Sequence, residues 1–202
     1  LILGSVFNSL TYILSNAFMI LLYTLFIFLE EVYFNSKMRA VFTEESQYLK
    51  VTQVIAKIEK SIGDYIGLKS LVSLITSTLS YIVLLTIGVD SPMFWATLIF
   101  FLNFIPTIGS LIGTAFPAIF SLVQFGKFTP CVMVLIFIGL IQLVVGNIIE
   151  PKLMGTSLNI SILVTILSLS FWGAIWGITG MILSIPITVI MVIIIYQIFG
   201  LL

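Results

Sequence analysis

Two stretches of this chain, Pro92 to Val123 and Ser161 to Leu202, contain no Asp, Glu, Lys or Arg. Runs that long and that apolar are not the elements of a water-soluble core. A bilayer core of roughly 30 Å is crossed by about 20 apolar residues, so each run is too long for one straight crossing; the first is short for two, and the second suits two short or tilted passes. Each is therefore expected to break. In the first, the break falls in Asn103-Phe104-Ile105-Pro106-Thr107-Ile108-Gly109-Ser110-Leu111-Ile112-Gly113. Proline lacks the N–H that a helix needs, and glycine lowers helix propensity. A helix break is predicted within two or three residues of Pro106, giving a broken or re-entrant pair of half-helices. Gly109 and Gly113 also have the spacing that lets helices approach closely. In the second run the interruption is Phe171 to Gly180, with Gly173, Gly177 and Gly180, and Pro186 is expected to kink the last helix. Trp172 and Trp176 suit an interfacial belt.

Three more segments can span. Leu10 to Phe34 ends at the first charges, Glu30 and Glu31. Leu71 to Gly88 is rich in hydroxyls (Ser73, Thr76, Ser77, Thr78, Ser80), which bond across helices or back to their own carbonyls. Cys131 to Ile149 is the third. The expected fold is all-α, a polytopic integral membrane helical bundle in the cell membrane. It divides into a first transmembrane helix (1–34), an amphipathic polar connector (35–69) and a transmembrane transport core (70–202).

The connector carries ten of the sixteen charges. Val51, Val54, Ile55, Ile58, Ile62, Tyr65 and Ile66 follow helical spacing, with Lys57, Glu59, Lys60 and Asp64 on other faces. Thr43 before Glu44 and Glu45 reads as its helix start. Lys37, Arg39, Lys50, Lys57, Lys60 and Lys69 cluster there, so the positive-inside rule puts the connector in the cytoplasm.

Polar groups reappear in Gln142 to Gly155, within the stretch Gly146-Asn147-Ile148-Ile149-Glu150-Pro151-Lys152-Leu153-Met154-Gly155. Pro151 is expected to stop the helix and to bias Glu150 away from helical angles. A carboxylate, an amide and freed carbonyls at the end of an apolar segment are expensive in a membrane and mark a solute or ion path. Glu150 is the candidate for coupling: a desolvated carboxylate favours its neutral form and can exchange its proton for a cation. The competing reading is an interfacial charge paired with Lys152. Gln142 and Asn147 either line the path or bond between helices. The predicted path is a water-accessible cavity at Glu150, lined by Asn147, Gln142 and the break from Asn103 through Pro106 to Gly109. Pro151, Gly113, Gly155, Gly173, Gly177, Gly180 and Pro186 are assigned to helix breaks and packing. Asp90, in Gly88-Val89-Asp90-Ser91-Pro92, reads as a turn residue.

Other classes are poorly served. Eight acids balance eight bases, so nothing here suggests a nucleic acid partner. With no histidine and a single cysteine, Cys131, a disulfide framework, a Cys/His zinc site and a His-activated nucleophile are excluded. No metal or cofactor is expected. An aspartyl intramembrane protease needs two aspartates in the membrane; Asp64 lies in the connector and lacks the preceding glycine pair. The start, Leu1-Ile2-Leu3, has no basic n-region, and the chain reads as a piece of a longer protein.

Taken together, Phe104-Ile105-Pro106-Thr107-Ile108-Gly109, Gln142, Gly146 to Gly155, Phe171-Trp172-Gly173, Trp176-Gly177-Ile178-Thr179-Gly180-Met181 and Ile185-Pro186-Ile187 resemble the autoinducer-2 exporter family. The resemblance covers residues 60 to 198 well and the first span more loosely. It implies a multi-spanning transporter in the lipid bilayer, not an enzyme. Its solute would be a small polar metabolite or signal, coupled to a proton or sodium gradient. Some members are associated instead with sodium/proton exchange, a monovalent cation then being the cargo. Thr107 stands where many members have an aromatic residue. A non-transporting scaffold is the third class, and a homo-oligomer is compatible with each.

Overall fold

The computed structural model describes residues 2–42, 44–154 and 161–198. All regular structure among them is helical: α1 (Ile2–Val41), α2 (Glu45–Ile87), α3 (Pro92–Leu102), α4 (Ile108–Phe125), α5 (Phe128–Val144), a π-helical turn (Val145–Ile149), α6 (Glu150–Met154) and α7 (Ile162–Ile198). Among the described residues, five helical segments are long and apolar enough to cross a membrane. The chain forms two compact units, Leu1–Gln53 and Val54–Leu202.

In the first unit α1 presents large apolar side chains outward, including Phe18, Leu21 and Phe28, and none of its spanning segment is buried. A helix apolar all round is at home in lipid. Lys37 pairs with Glu30 on its surface, and the Arg39 guanidinium lies 5.0 Å from the centre of the Tyr48 ring.

In the second unit α2 continues without a break through residue 69, where the sequence suggested a change from connector to membrane core. Its buried face is Tyr65, Lys69, Val72, Ser73, Thr76, Ser77, Ser80 and Leu84, spaced three and four apart along one stripe. Small hydroxyls on that stripe let neighbouring helices come close, and Thr76 and Ser77 satisfy their own donors on the carbonyls of Val72 and Leu74. Below them Leu84 joins Val89, Ile99, Ala118, Val134 and Ile138 in an apolar core, with Trp95 and Phe120 packed ring to ring at 5.1 Å.

The turn from α2 to α3 reverses at Gly88 (φ 84°) and Ser91 (φ 53°). Gln124 of α4 clamps it: its amide oxygen accepts from the Asp90 N–H (2.8 Å) and its amide nitrogen donates to the Gly88 carbonyl (3.0 Å). Asp90 is thus a turn residue, as its sequence context suggests. Gln124→Ala should lower the stability of the detergent-purified protein by about 1–2 kcal/mol, since both backbone groups lose a partner. A thermal midpoint indistinguishable from wild type would show that water replaces the clamp.

The run from Pro92 to Val123 breaks as its length requires. Alpha3 stops at Leu102, residues 103–107 turn, and α4 starts at Ile108. Gly109 passes under the Leu102 carbonyl so closely that a Cβ would lie 1.7 Å from its oxygen. Gly113 sits against Ile99, so the glycine pair serves to bring α4 onto α3. Alpha4 runs on to Phe125 and α5 begins at Phe128, so residues 126–127 alone connect them.

The second uncharged run folds by the same device. Gly177 has φ 61° and ψ −140°, so α7 is two helical arms joined at a reversal. A Cβ on Gly180 would lie 1.9 Å from the Trp172 carbonyl oxygen, Gly173 faces Met181, and the Thr188 hydroxyl donates to Ser168 Oγ at 2.9 Å. Trp172 and Trp176 stack near the tip at 5.2 Å. The kink expected at Pro186 is instead at Gly177. Pro186 is buried in the second arm, whose other angles stay helical.

Candidate functional site

The helix does not stop at Pro151. Glu150 keeps helical angles (φ −57°, ψ −50°), and its N–H reaches back to the Val145 carbonyl, five residues earlier. This corrects the expectation that proline ends the segment. A π turn is wider than an α turn, which accommodates the proline ring and the hydrogen bond that Pro151 cannot make. The chain then enters the short α6 with Pro151, Lys152 and Leu153 exposed.

That turn delivers the Glu150 carboxylate to Lys69 on α2, 81 residues away in sequence, and the two form a direct ion pair. Lys69 is buried, while 22 % of the Glu150 side chain stays accessible, so one side of the pair is sealed and the other open. Lys152 is exposed and is not the partner, which removes the interfacial Glu150–Lys152 pair. Lys69 also ceases to count among the loop cations. A charge pair taken out of water loses much hydration and is held by the mutual attraction of its members, so neither is cheaply removed alone.

Further along the same face of α2, Ser73 Oγ accepts a hydrogen bond from Asn103 Nδ2 at 3.1 Å. This ties the tip of the α3–α4 hairpin to the stripe that carries Lys69. At that tip Thr107 has φ 62° and ψ −54°, a strained setting for a β-branched residue. Pro106 is half-buried and Ile105 and Gly109 are buried beside it. One turn before Lys69, Tyr65 is buried and its hydroxyl has no hydrogen-bond partner.

The other predicted polar residues are placed differently. Asn147 is exposed, and its amide donates to the Leu143 carbonyl of its own helix at 3.0 Å. Gln142 is half-buried against Gly113, with its amide nitrogen 3.5 Å from where a Cβ there would stand. Among the described residues no hydrogen bond joins either one to Glu150. A cavity of about 320 Å³ lies between α2 and α3, lined by Ser77, Tyr81, Ala96, Thr97 and Phe100 among others. Glu150, Asn147 and Gln142 do not line it, so it is not the cavity expected at Glu150. Gly155 lies outside the described residues.

Lys69, Tyr65 and Ser73 were the residues missed. Their signal was spacing: residues 65, 69, 73, 76, 77 and 80 share one helical face running from the charged segment into the hydroxyl-rich span.

The comparisons with known proteins agree with this architecture. The model of the AI-2E family transporters matches residues 2–200. AI-2 transport protein TqsA of Escherichia coli K12 is 35 % identical over 199 residues, which is 98 % of this chain and 57 % of TqsA. A protein of Borreliella burgdorferi is 45 % identical over 139 residues, 68 % of this chain and 38 % of its own length. One of Haemophilus influenzae is 38 % identical over 177 residues, 87 % of this chain and 51 % of its own. Both carry transport-protein names, and this chain spans between 38 and 57 % of the length of these three relatives. It belongs to the AI-2E transporter family, whose members are multi-pass transport proteins of the cell membrane rather than enzymes.

Proposed function

We propose that the protein moves a small polar solute out across the membrane, along a path that passes the Lys69–Glu150 pair and the hairpin tip at Asn103 to Gly109, and that this movement is coupled to the transfer of a proton. The observation that carries this reading is the ion pair itself. Ionisable groups inside membrane-spanning segments are expensive, and they recur on solute and proton routes. Here one sits beside a π turn, a feature frequent at functional sites, and on the same stripe of α2 as Ser73, which holds Asn103 at the tip of an interrupted helix pair. The name of the Escherichia coli relative makes a small signal molecule the first solute to try. Sodium/proton exchange is the less supported coupling, because the Lys69 ammonium already occupies the cation's place at Glu150.

The test is flux in proteoliposomes under imposed pH and sodium gradients. Glu150→Gln keeps shape and hydrogen bonding and removes the titratable charge. Measured on the fraction that purifies as folded protein, proton-coupled flux should fall about ten- to a hundredfold and lose its pH dependence. Lys152→Gln should leave flux near wild type, since an exposed lysine is solvated. If Glu150→Gln transports as wild type across a pH series, the pair serves packing and the path lies elsewhere. A wild-type protein that moves no solute under any gradient would be a scaffold.

A further inference from the structure

We infer that Lys69, with the Tyr65 hydroxyl beside it, forms a binding site for a small carboxylate-type anion that opens when Glu150 takes up a proton. The inference rests on the proposed path through Glu150 and names the class of solute that path would take.

The argument starts from charge. As the pair stands, one carboxylate and one ammonium sum to zero in a place where an uncompensated charge is costly. A metal cation added there would leave a net positive charge. A proton added to Glu150 leaves the buried Lys69 ammonium without a counter-charge, and an anion restores the balance. Written out, a hydronium ion gives its proton to a Glu150 oxygen and leaves as water, the contact from Lys69 Nζ to that carboxylate is released, and Nζ donates instead to an oxygen of the anion. One O–H bond breaks in hydronium and one forms on Glu150, so one proton is taken up for each monoanion bound.

Charge balance is what separates an anion from a neutral polyol, and two observations show how an anion would be received. First, the Tyr65 hydroxyl is buried and unpartnered, one helical turn from Lys69 and within electrostatic reach of Glu150. It is a spare donor, and a carboxylate oxygen is an acceptor only. Second, the accessible part of the pair is on the Glu150 side, so an incoming group meets the carboxylate first and must displace it. The titratable groups facing Glu150 are Lys69 and Tyr65 of α2. Asp64 on α2 and Lys152 on its own turn are exposed.

The full-length protein in detergent is titrated with choline lactate, ribose and sodium chloride, by calorimetry, in buffers of different ionisation enthalpy across a pH series. Lactate should bind with uptake of one proton, its affinity rising about tenfold per pH unit of acidification while Glu150 is ionised. Ribose should bind without proton uptake or not at all, and sodium should not compete. Glu150→Gln, which mimics the protonated form, should bind lactate at the acid-limit affinity at every pH. Lys69→Gln should lose lactate binding, and Tyr65→Phe should weaken it about tenfold. If Glu150→Gln loses lactate binding as Lys69→Gln does, or if wild type binds lactate with no proton uptake, the inference is overturned. No lactate binding to wild type overturns it too. Should ribose cross in proteoliposomes in a Glu150-dependent way while lactate fails to bind, the anion site falls and the transport reading survives.

Discussion

Lys69→Met should lower the stability of the folded protein by about 3–5 kcal/mol, because it leaves the Glu150 carboxylate part-buried without its partner. Methionine matches the lysine stem in length, so packing along the α2 stripe is kept and the loss reports charge. The measurement is a thermal or denaturant midpoint of purified protein in detergent. The decisive comparison is the double variant Lys69→Met/Glu150→Leu, which removes both charges. Replacing a whole buried pair by apolar residues is often neutral or better, so the double variant should recover most of the loss while having no coupled transport. A Lys69→Met protein within about 1 kcal/mol of wild type would show that water reaches the carboxylate freely from its open side.

Gly109→Ala and Gly180→Ala should each prevent the protein from accumulating in folded form. The added methyl would stand 1.7 Å from the Leu102 carbonyl oxygen in one case and 1.9 Å from the Trp172 carbonyl oxygen in the other. Both obstacles are backbone, which no rotamer change can move aside, so the hairpin must open. Opening it breaks the contact between its arms, at a cost beyond the usual 1–3 kcal/mol of overpacking. Gly139→Ala is the control. Nothing lies within 4 Å of its Cβ position, and alanine favours a helix interior by up to about 1 kcal/mol. Fluorescence-detected size-exclusion of tagged variants checks all three. A monodisperse, wild-type profile for Gly180→Ala would mean that the α7 hairpin is not closed in the membrane.

The sequence announced both of these reversals, through different signals. Around Pro106 a missing donor, two glycines and a run too long for one crossing all called for the same break, and it fell at 103–107. In α7 the length and the glycines pointed correctly to 171–180, whereas Pro186 drew attention to a place where the helix persists. Proline disrupts only when its ring and lost hydrogen bond find no accommodation. Pro151 shows the same limit, since the π turn before it supplies the room. Sequence carries no mark for a π turn, because it arises from a small surplus of backbone resolved by packing. Glu150 was legible as an outlier, the one acid in an apolar span. Its partner was not, because Lys69 resembled its charged neighbours 57, 60 and 64 and only the three-dimensional path of α2 turns it inward. Asn147 stands out by its chemistry, but the bond from its amide to the Leu143 carbonyl carries no mark in the sequence.

The π turn at Val145–Ile149 has a consequence for how the protein is indexed. A turn closed over five residues holds one residue more than a turn closed over four, and each residue advances a helix by about 100°. Relative to an uninterrupted α-helix from Phe128, everything from Glu150 onward is therefore offset by about one residue's rotation. Glu150 faces Lys69 because of that offset. The register between the apolar rod of α5 and the polar end that follows it is set by one surplus residue, like a gear meshed one tooth along.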